Sequence, residues 1–218
     1  MSLRAKVLLI VLGVVSMYAL LDYAIQYFLV LPSYISLERN EAQNVMRRCV
    51  AALKKEISNL DKSAVDLAKS DDTYQFVVDQ NNDYISTNPA VKSLTNNSLD
   101  LIYICDIESA VVWGKIRDFQ TDEIIGLDEF PGESRPGTHQ LFGHKTVEDS
   151  TTGVLMTEGG AMLVASRPIV TSNNEGPIRG TLIMGRFVND NVIKTITEQA
   201  PVDLKVWTIG SGSISAEE

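Results

Sequence analysis

Gly153-Val154-Leu155-Met156-Thr157, then Glu158-Gly159-Gly160, then Met162-Leu163-Val164-Ala165-Ser166-Arg167-Pro168-Ile169, is followed after a polar stretch by Ile178-Arg179-Gly180-Thr181-Leu182-Ile183-Met184-Gly185-Arg186-Phe187. Short apolar runs bounded by turn residues read as strands, because the pleat needs only a few residues to bury a face and glycine supplies the turn. The runs Gly153 to Thr157, Met162 to Ile169 and Ile178 to Phe187 therefore form an antiparallel meander, its breaks at Glu158-Gly159-Gly160 and at residues 171–177. Upstream, Leu101 to Cys105 and Ala110 to Lys115, joined by Asp106 to Ser109, read as a hairpin. Between hairpin and meander the chain is irregular, with room for a short helix around His139. Downstream, Asp190 is expected to cap a short helix running to about Gln199, and Leu204 to Ile209 to form a closing strand.

A different period governs the N-terminal third. Ala42, Met46, Cys49, Leu53, Ile57, Leu60, Ala64 and Leu67 recur in steps of mostly three and four, the spacing of one face of a long helix. Arg47, Arg48, Lys54, Lys55, Glu56, Asp61 and Lys62 are assigned for the most part to its opposite, wet face. The rhythm suits a seam with a second copy, which makes a homodimer the expected state, and equally suits packing against the chain's own sheet. A long helix followed by a hairpin and a meander gives an α+β fold: a five- or six-stranded antiparallel sheet with helices on one face, of the PAS-like or Cache-like kind.

Ahead of that helix, Val7 to Leu31 is apolar except for Asp22 and Gln26. About 25 residues suffice for a helix to cross a hydrocarbon layer of ~30 Å. The run exceeds a signal-peptide core and shows no small-x-small cleavage site near its end, so an uncleaved anchor is the expectation. Arg4 and Lys6 precede it and the first charge beyond it is Glu38, so residues 1–6 are expected in the cytoplasm and everything after Leu31 outside. Tyr18, Asp22 and Gln26 share one helical stripe. Either that stripe meets another helix, or Asp22 reaches the outer headgroups. The expected organisation is 1–6 cytoplasmic, 7–31 membrane-spanning, 33–68 a long amphipathic helix leading into the α+β domain, and 207–218 a flexible tail.

Three blocks in order resemble one family: Ser63 to Phe76, reading SAVDLAKSDDTYQF; Leu99 to Tyr103 before Asp106; and Gly176 to Phe187, reading GPIRGTLIMGRF. Together they resemble the CHASE4 extracellular sensory domains, over about Ala42 to Val206. That family has a tryptophan just before its Asp-Asp-Thr-Tyr block, where this chain has Ser70, so a different pocket shape is expected. The resemblance implies a PAS-like sensor between two membrane spans, coupled to a cytoplasmic histidine kinase or cyclic-di-GMP enzyme such as a diguanylate cyclase. One span is present in this sequence, which is read as part of a receptor or as a short relative.

Composition narrows the alternatives. With 28 acidic and 19 basic residues the net charge is −9, which disfavours nucleic acid, whose phosphates need a basic face. Cys49 and Cys105 are too few for a zinc motif; core thiols are expected, with a disulfide between them as the minor alternative. His139 and His144 lie in a Gly- and Pro-rich segment without ligand spacing, so they are read as loop residues and no metal or other cofactor is expected. G-x-S-x-G, Walker A and G-x-G-x-x-G patterns are lacking, and no enzymatic activity is expected.

Candidate ligand residues are Tyr74, Trp113, Arg167 and Arg186: an aromatic wall and guanidinium forks suited to a carboxylate or phosphate on a small molecule. The alternative for each arginine is solvent or an acidic neighbour. Asp71, Asp72 and Thr73 are expected to cap the turn that ends the long helix. Asn96-Asn97-Ser98 matches a glycosylation acceptor. Rival readings are a module that docks an envelope protein without a small ligand, and a pilin-like subunit, against which stands the lack of a glutamate after a processing glycine.

Overall fold

The computed structural model describes residues 3–88, 92, 94, 99–130 and 140–199. His139, the Asn96-Asn97-Ser98 acceptor, the closing strand at Leu204 to Ile209 and the 207–218 tail lie outside the described residues. The chain divides into two compact units between Cys49 and Val50.

Helix α1 (Leu3–Ile25) leads through a π-helical segment (Gln26–Val30) into helix α2 (Leu31–Ala68), whose residues 31–49 belong to the first unit and 50–68 to the second. Pro32 lies inside this continuous helix, directly after the π-helical turn, and does not end it. The apolar window of this helix has a mean hydropathy of 2.2 and none of it is buried, so it is long and apolar enough to cross a membrane. Gln26 Nε2 donates to Asp22 Oδ2 at 3.1 Å. The two polar residues of the expected stripe thus meet one another one turn apart on the same helix.

The second unit is built on a six-stranded antiparallel sheet in the order β3-β2-β1-β6-β5-β4. The strands are β1 (Leu101–Asp106), β2 (Val111–Arg117), β3 (Ile124–Ile125), β4 (Thr151–Thr157), β5 (Gly160–Ile169) and β6 (Gly180–Phe187). Hairpin and meander fall where the turn residues place them. Asp106 closes the hairpin by accepting the N–H groups of Glu108 and Ala110 on Oδ1, and Ser109 takes the left-handed φ of 64°. Gly160, at φ 114°, lets β4 turn directly into β5.

Because strand side chains alternate, the pairing register sorts them onto two faces. One face carries Leu101, Tyr103, Cys105, Ile116, Met162, Val164, Ile183 and Phe187, packed under Leu127, Phe130 and Leu141 from the segment between β3 and β4. Each large side chain buried there contributes about 2 kcal/mol of transfer free energy. Tyr103 donates its hydroxyl to the Phe130 carbonyl at 2.7 Å, and its ring occupies the space where a side chain on Gly114 would sit.

The other face carries Trp113, Ile104, Leu182 and Arg167 in one row, and Asp100, Arg186 and Leu163 in another. The C-terminal half of α2 lies on this face, burying Ala52, Leu60, Ala64, Leu67 and Ala68. Its last turn is fastened where the Ala68 carbonyl accepts the Val170 N–H at 3.1 Å. Ala42 and Met46, from the same apolar rhythm, are exposed.

Helices α3 (Asp71–Asp79) and α4 (Asn82–Thr87) follow, locked by Phe76 stacked on Tyr84 at 4.4 Å and by a 2.7 Å hydrogen bond between Thr73 and the Tyr84 hydroxyl. Helix α5 (Asp190–Gln199) closes the described chain. Its cap is Asn189, whose Oδ1 accepts the Val192 N–H at 3.0 Å, and Asp190 is instead its first residue. Cys49 and Cys105 are buried free thiols.

Candidate functional site

Where α2 crosses the sheet, a cavity of about 680 Å³ opens between them. From α2 come Glu56, Asn59, Leu60, Ser63, Asp66 and Leu67; from the sheet and its approach come Leu163, Met184, Arg186 and Leu99; Ser70, Asp72 and Asn88 close one end. The α2 residues recur every three or four positions, so a single stripe of the helix forms one wall. The floor is apolar and the rim polar, the usual composition of a small-molecule site.

The four residues expected to bind ligand are placed very differently. Arg186 lies in the cavity, with Nη1 3.6 Å from Glu56 Oε2. Arg167 shares the sheet face but is already occupied: its Nε and Nη2 donate to Asp61 Oδ1 and Oδ2 at 2.7 and 2.5 Å, and Nη1 donates to the Asp149 carbonyl. A fork satisfied at both prongs by a carboxylate of its own chain holds the helix and leaves little for a ligand. Trp113 shares the row of Arg167 and has Lys115 Nζ 6.0 Å from its ring centroid, and neither Trp113 nor Arg167 lines the cavity. Tyr74 is elsewhere, under the Arg179 guanidinium and accepting a 3.0 Å hydrogen bond from Arg179 Nε.

The acidic residues were misassigned by periodicity. Glu56 and Asp61, placed on the wet side of α2, reach inward to the two sheet arginines. Asp71 does not cap α3. It accepts the Ser172 N–H and Oγ–H, tying the start of α3 to the β5–β6 loop, and these two bonds hold its carboxyl below the ordinary range. Ser70 occupies the cap position without a side-chain cap bond. Acidic residues directly beside the apolar stripe, Glu56 before Ile57 and Asp61 after Leu60, are the one sequence signal for this, and it is weak, because the edges of solvated helix faces carry the same pattern.

Two further polar groups lie around the sheet. Asp100 is buried, accepts the Phe187 N–H at 2.8 Å and faces Arg117 at 3.7 Å; burial raises its carboxyl above the usual value, against the pull of that hydrogen bond and of Arg117 and Arg186. His144, expected in a loop, is half-buried with Nε2 2.9 Å from Ser166 Oγ. Since Ser166 donates its own proton to the Leu141 carbonyl, Nε2 is the protonated nitrogen of the neutral ring.

Residues 52–207 match the model of the CHASE4 domain. The chain belongs to the CHASE4 family. It is an extracytoplasmic sensor domain, preceded by a helix apolar enough to cross a membrane. It is 25% identical over 208 residues to the methanogenesis regulatory histidine kinase FilI of Methanothrix harundinacea, a match covering 94% of this chain. The chain spans 23% of that relative's length. Among solved structures, the DcuS sensor domain of Escherichia coli aligns with a TM-score of 0.44 at 16% identity, covering 67% of this CHASE4 chain and 98% of that sensor-domain chain. The sensor domain of the Vibrio cholerae histidine kinase DctB aligns at 0.46 and 13% identity, covering 77% and 60%.

Proposed function

We propose that this CHASE4 domain binds a small ligand in the cavity between α2 and the sheet, and that α2 reports the occupancy. The observation that carries the reading is the contrast between the two ion pairs holding α2. Asp61 and Arg167 make a close bidentate clamp, whereas Glu56 and Arg186 stand 3.6 Å apart at the cavity wall. A ligand carboxylate that takes the Arg186 guanidinium displaces Glu56, while the Asp61 clamp stays closed and serves as a pivot. Such a ligand favours one seating of the helix over the other, which is the condition for a signal.

The displacement then travels along α2 towards a cytoplasmic output, a histidine kinase or a diguanylate cyclase. The positive-inside bias of Arg4 and Lys6 supports a cytoplasmic N-terminus, and exposed Ala42 and Met46 offer a seam to a second copy.

The test is a thermal-shift and calorimetric screen of the full chain in detergent against small metabolites, repeated with Arg186→Ala. A hit whose affinity falls at least tenfold in Arg186→Ala supports the site. A folded chain that no compound stabilises, together with efficient cross-linking to an envelope protein in cells, sinks it in favour of protein docking. Disulfide capture of Met46→Cys in membranes tests the dimer.

A further inference from the structure

We infer that the ligand is an extended zwitterion, with a carboxylate at one end of an aliphatic body and an ammonium at the other; this rests on the cavity being the ligand site. Three carboxylates, Glu56, Asp66 and Asp72, face the cavity against one guanidinium, Arg186. Glu56 and Arg186 offset one another. Asp66 and Asp72 are exposed at the rim and make no ion pair among the described residues. A simple anion arriving at Arg186 would therefore approach against a net negative field at the cavity mouth. A simple cation would leave the Glu56 to Arg186 contact untouched. A molecule bearing both charges satisfies each end.

The spacing sets its length. Glu56 and Asp66 are ten residues apart on one helix, so their backbones are separated by roughly 15 Å along its axis. Side chains reaching in from both ends leave a gap of roughly 6–10 Å between ligand charges. That is too long for an α-amino acid and suits an ω-amino acid or a short peptide. Between the ends, Leu60, Leu67, Leu163 and Met184 supply an apolar bed, and Ser63 and Asn59 supply neutral hydrogen-bonding groups.

Calorimetry of the full chain in detergent, titrated with the ω-amino acids from glycine to 8-aminooctanoate, tests the inference, with hexanoate and hexylamine as single-charge controls. The expected result is an affinity that peaks at five to seven methylenes or so and exceeds both controls at least tenfold. In the double variant Asp66→Asn with Asp72→Asn, 6-aminohexanoate should fall to the affinity of hexanoate. In Arg186→Gln it should fall to that of hexylamine. Since Asp66 and Asp72 are exposed, their replacement leaves the fold intact, which circular dichroism checks. Hexanoate binding as tightly as 6-aminohexanoate, or indifference to the double variant, overturns the zwitterion while Arg186 dependence keeps the site. Binding of any probe that ignores Arg186→Gln overturns the site itself, and binding by no member of the series overturns the inference.

Discussion

The ion pair between Asp61 and Arg167 joins points 106 positions apart in the chain, and both side chains are largely withdrawn from water. Removing one partner leaves the other desolvated and unpaired, which costs more than the pair's own net contribution. Asp61→Asn should lower stability by about 2 kcal/mol, read as a shift of the urea midpoint at unchanged slope. Reversing the pair, Asp61→Arg with Arg167→Asp, should recover part of the loss. Cys105 is a residue-scale case of the opposite kind, an ionisable group the fold keeps neutral. Burial pushes its thiol up to about 12, with Asp106 adding to the shift. At pH 8 only about one molecule in ten thousand carries the thiolate. In a Cys49→Ser chain, Ellman's reagent should therefore leave the folded protein unlabelled and react fully once urea unfolds it.

At the scale of an element, α2 decides the site. Its inward stripe alternates residues that let the helix approach, Ala52, Ala64 and Ala68, with Leu60 and Leu67, which fill the space between helix and sheet. Ala64 is fully buried, so Ala64→Leu must push the helix outward or strain its neighbours, at about 1–3 kcal/mol. The same substitution should weaken any ligand that depends on Arg186, because the wall carrying Glu56 moves. A variant whose melting temperature and binding both match wild type would contradict the described seating. The helix and the strands were legible from their periods, since apolar spacing of 3.6 and turn residues at fixed breaks report on local geometry. The partners of Glu56 and Asp61 were not, because a charge that points inward and one that points to water look alike until the opposing strand is known. The two-residue strand β3 escaped for a simpler reason, being too short to show any period.

At the scale of the whole molecule, the acid side of the stability curve should carry the mark of His144. Burial lowers its pKa below the ordinary 6.5, Asp149 opposes that and Arg167 adds to it. The folded state then binds fewer protons than the unfolded chain once pH falls below about 7, so stability declines through that window and levels off below the folded pKa. Asp149 and Arg167 are the charged groups bearing on it. His144→Gln retains a donor for Ser166 without the titration, and the difference between wild-type and variant stabilities between pH 7.5 and 5.5 should shrink as pH falls. Equal slopes for the two proteins would assign the pH dependence elsewhere.

Taken by itself, the sequence determined the membrane-compatible apolar helix, the α+β order of elements, the turns of hairpin and meander, and the family to which the chain belongs. Each of these is encoded in neighbours along the chain, through hydrophobic period, turn chemistry and blocks of residues in order. Tertiary structure alone decided that Arg186 opens onto a cavity while Arg167 is spent on Asp61, that Tyr74 belongs with Arg179, and that Asp71 ties α3 to the β5–β6 loop. The physical reason is that a charged side chain is defined by the partner it meets, and those partners arrive from about a hundred residues away through the register of the sheet.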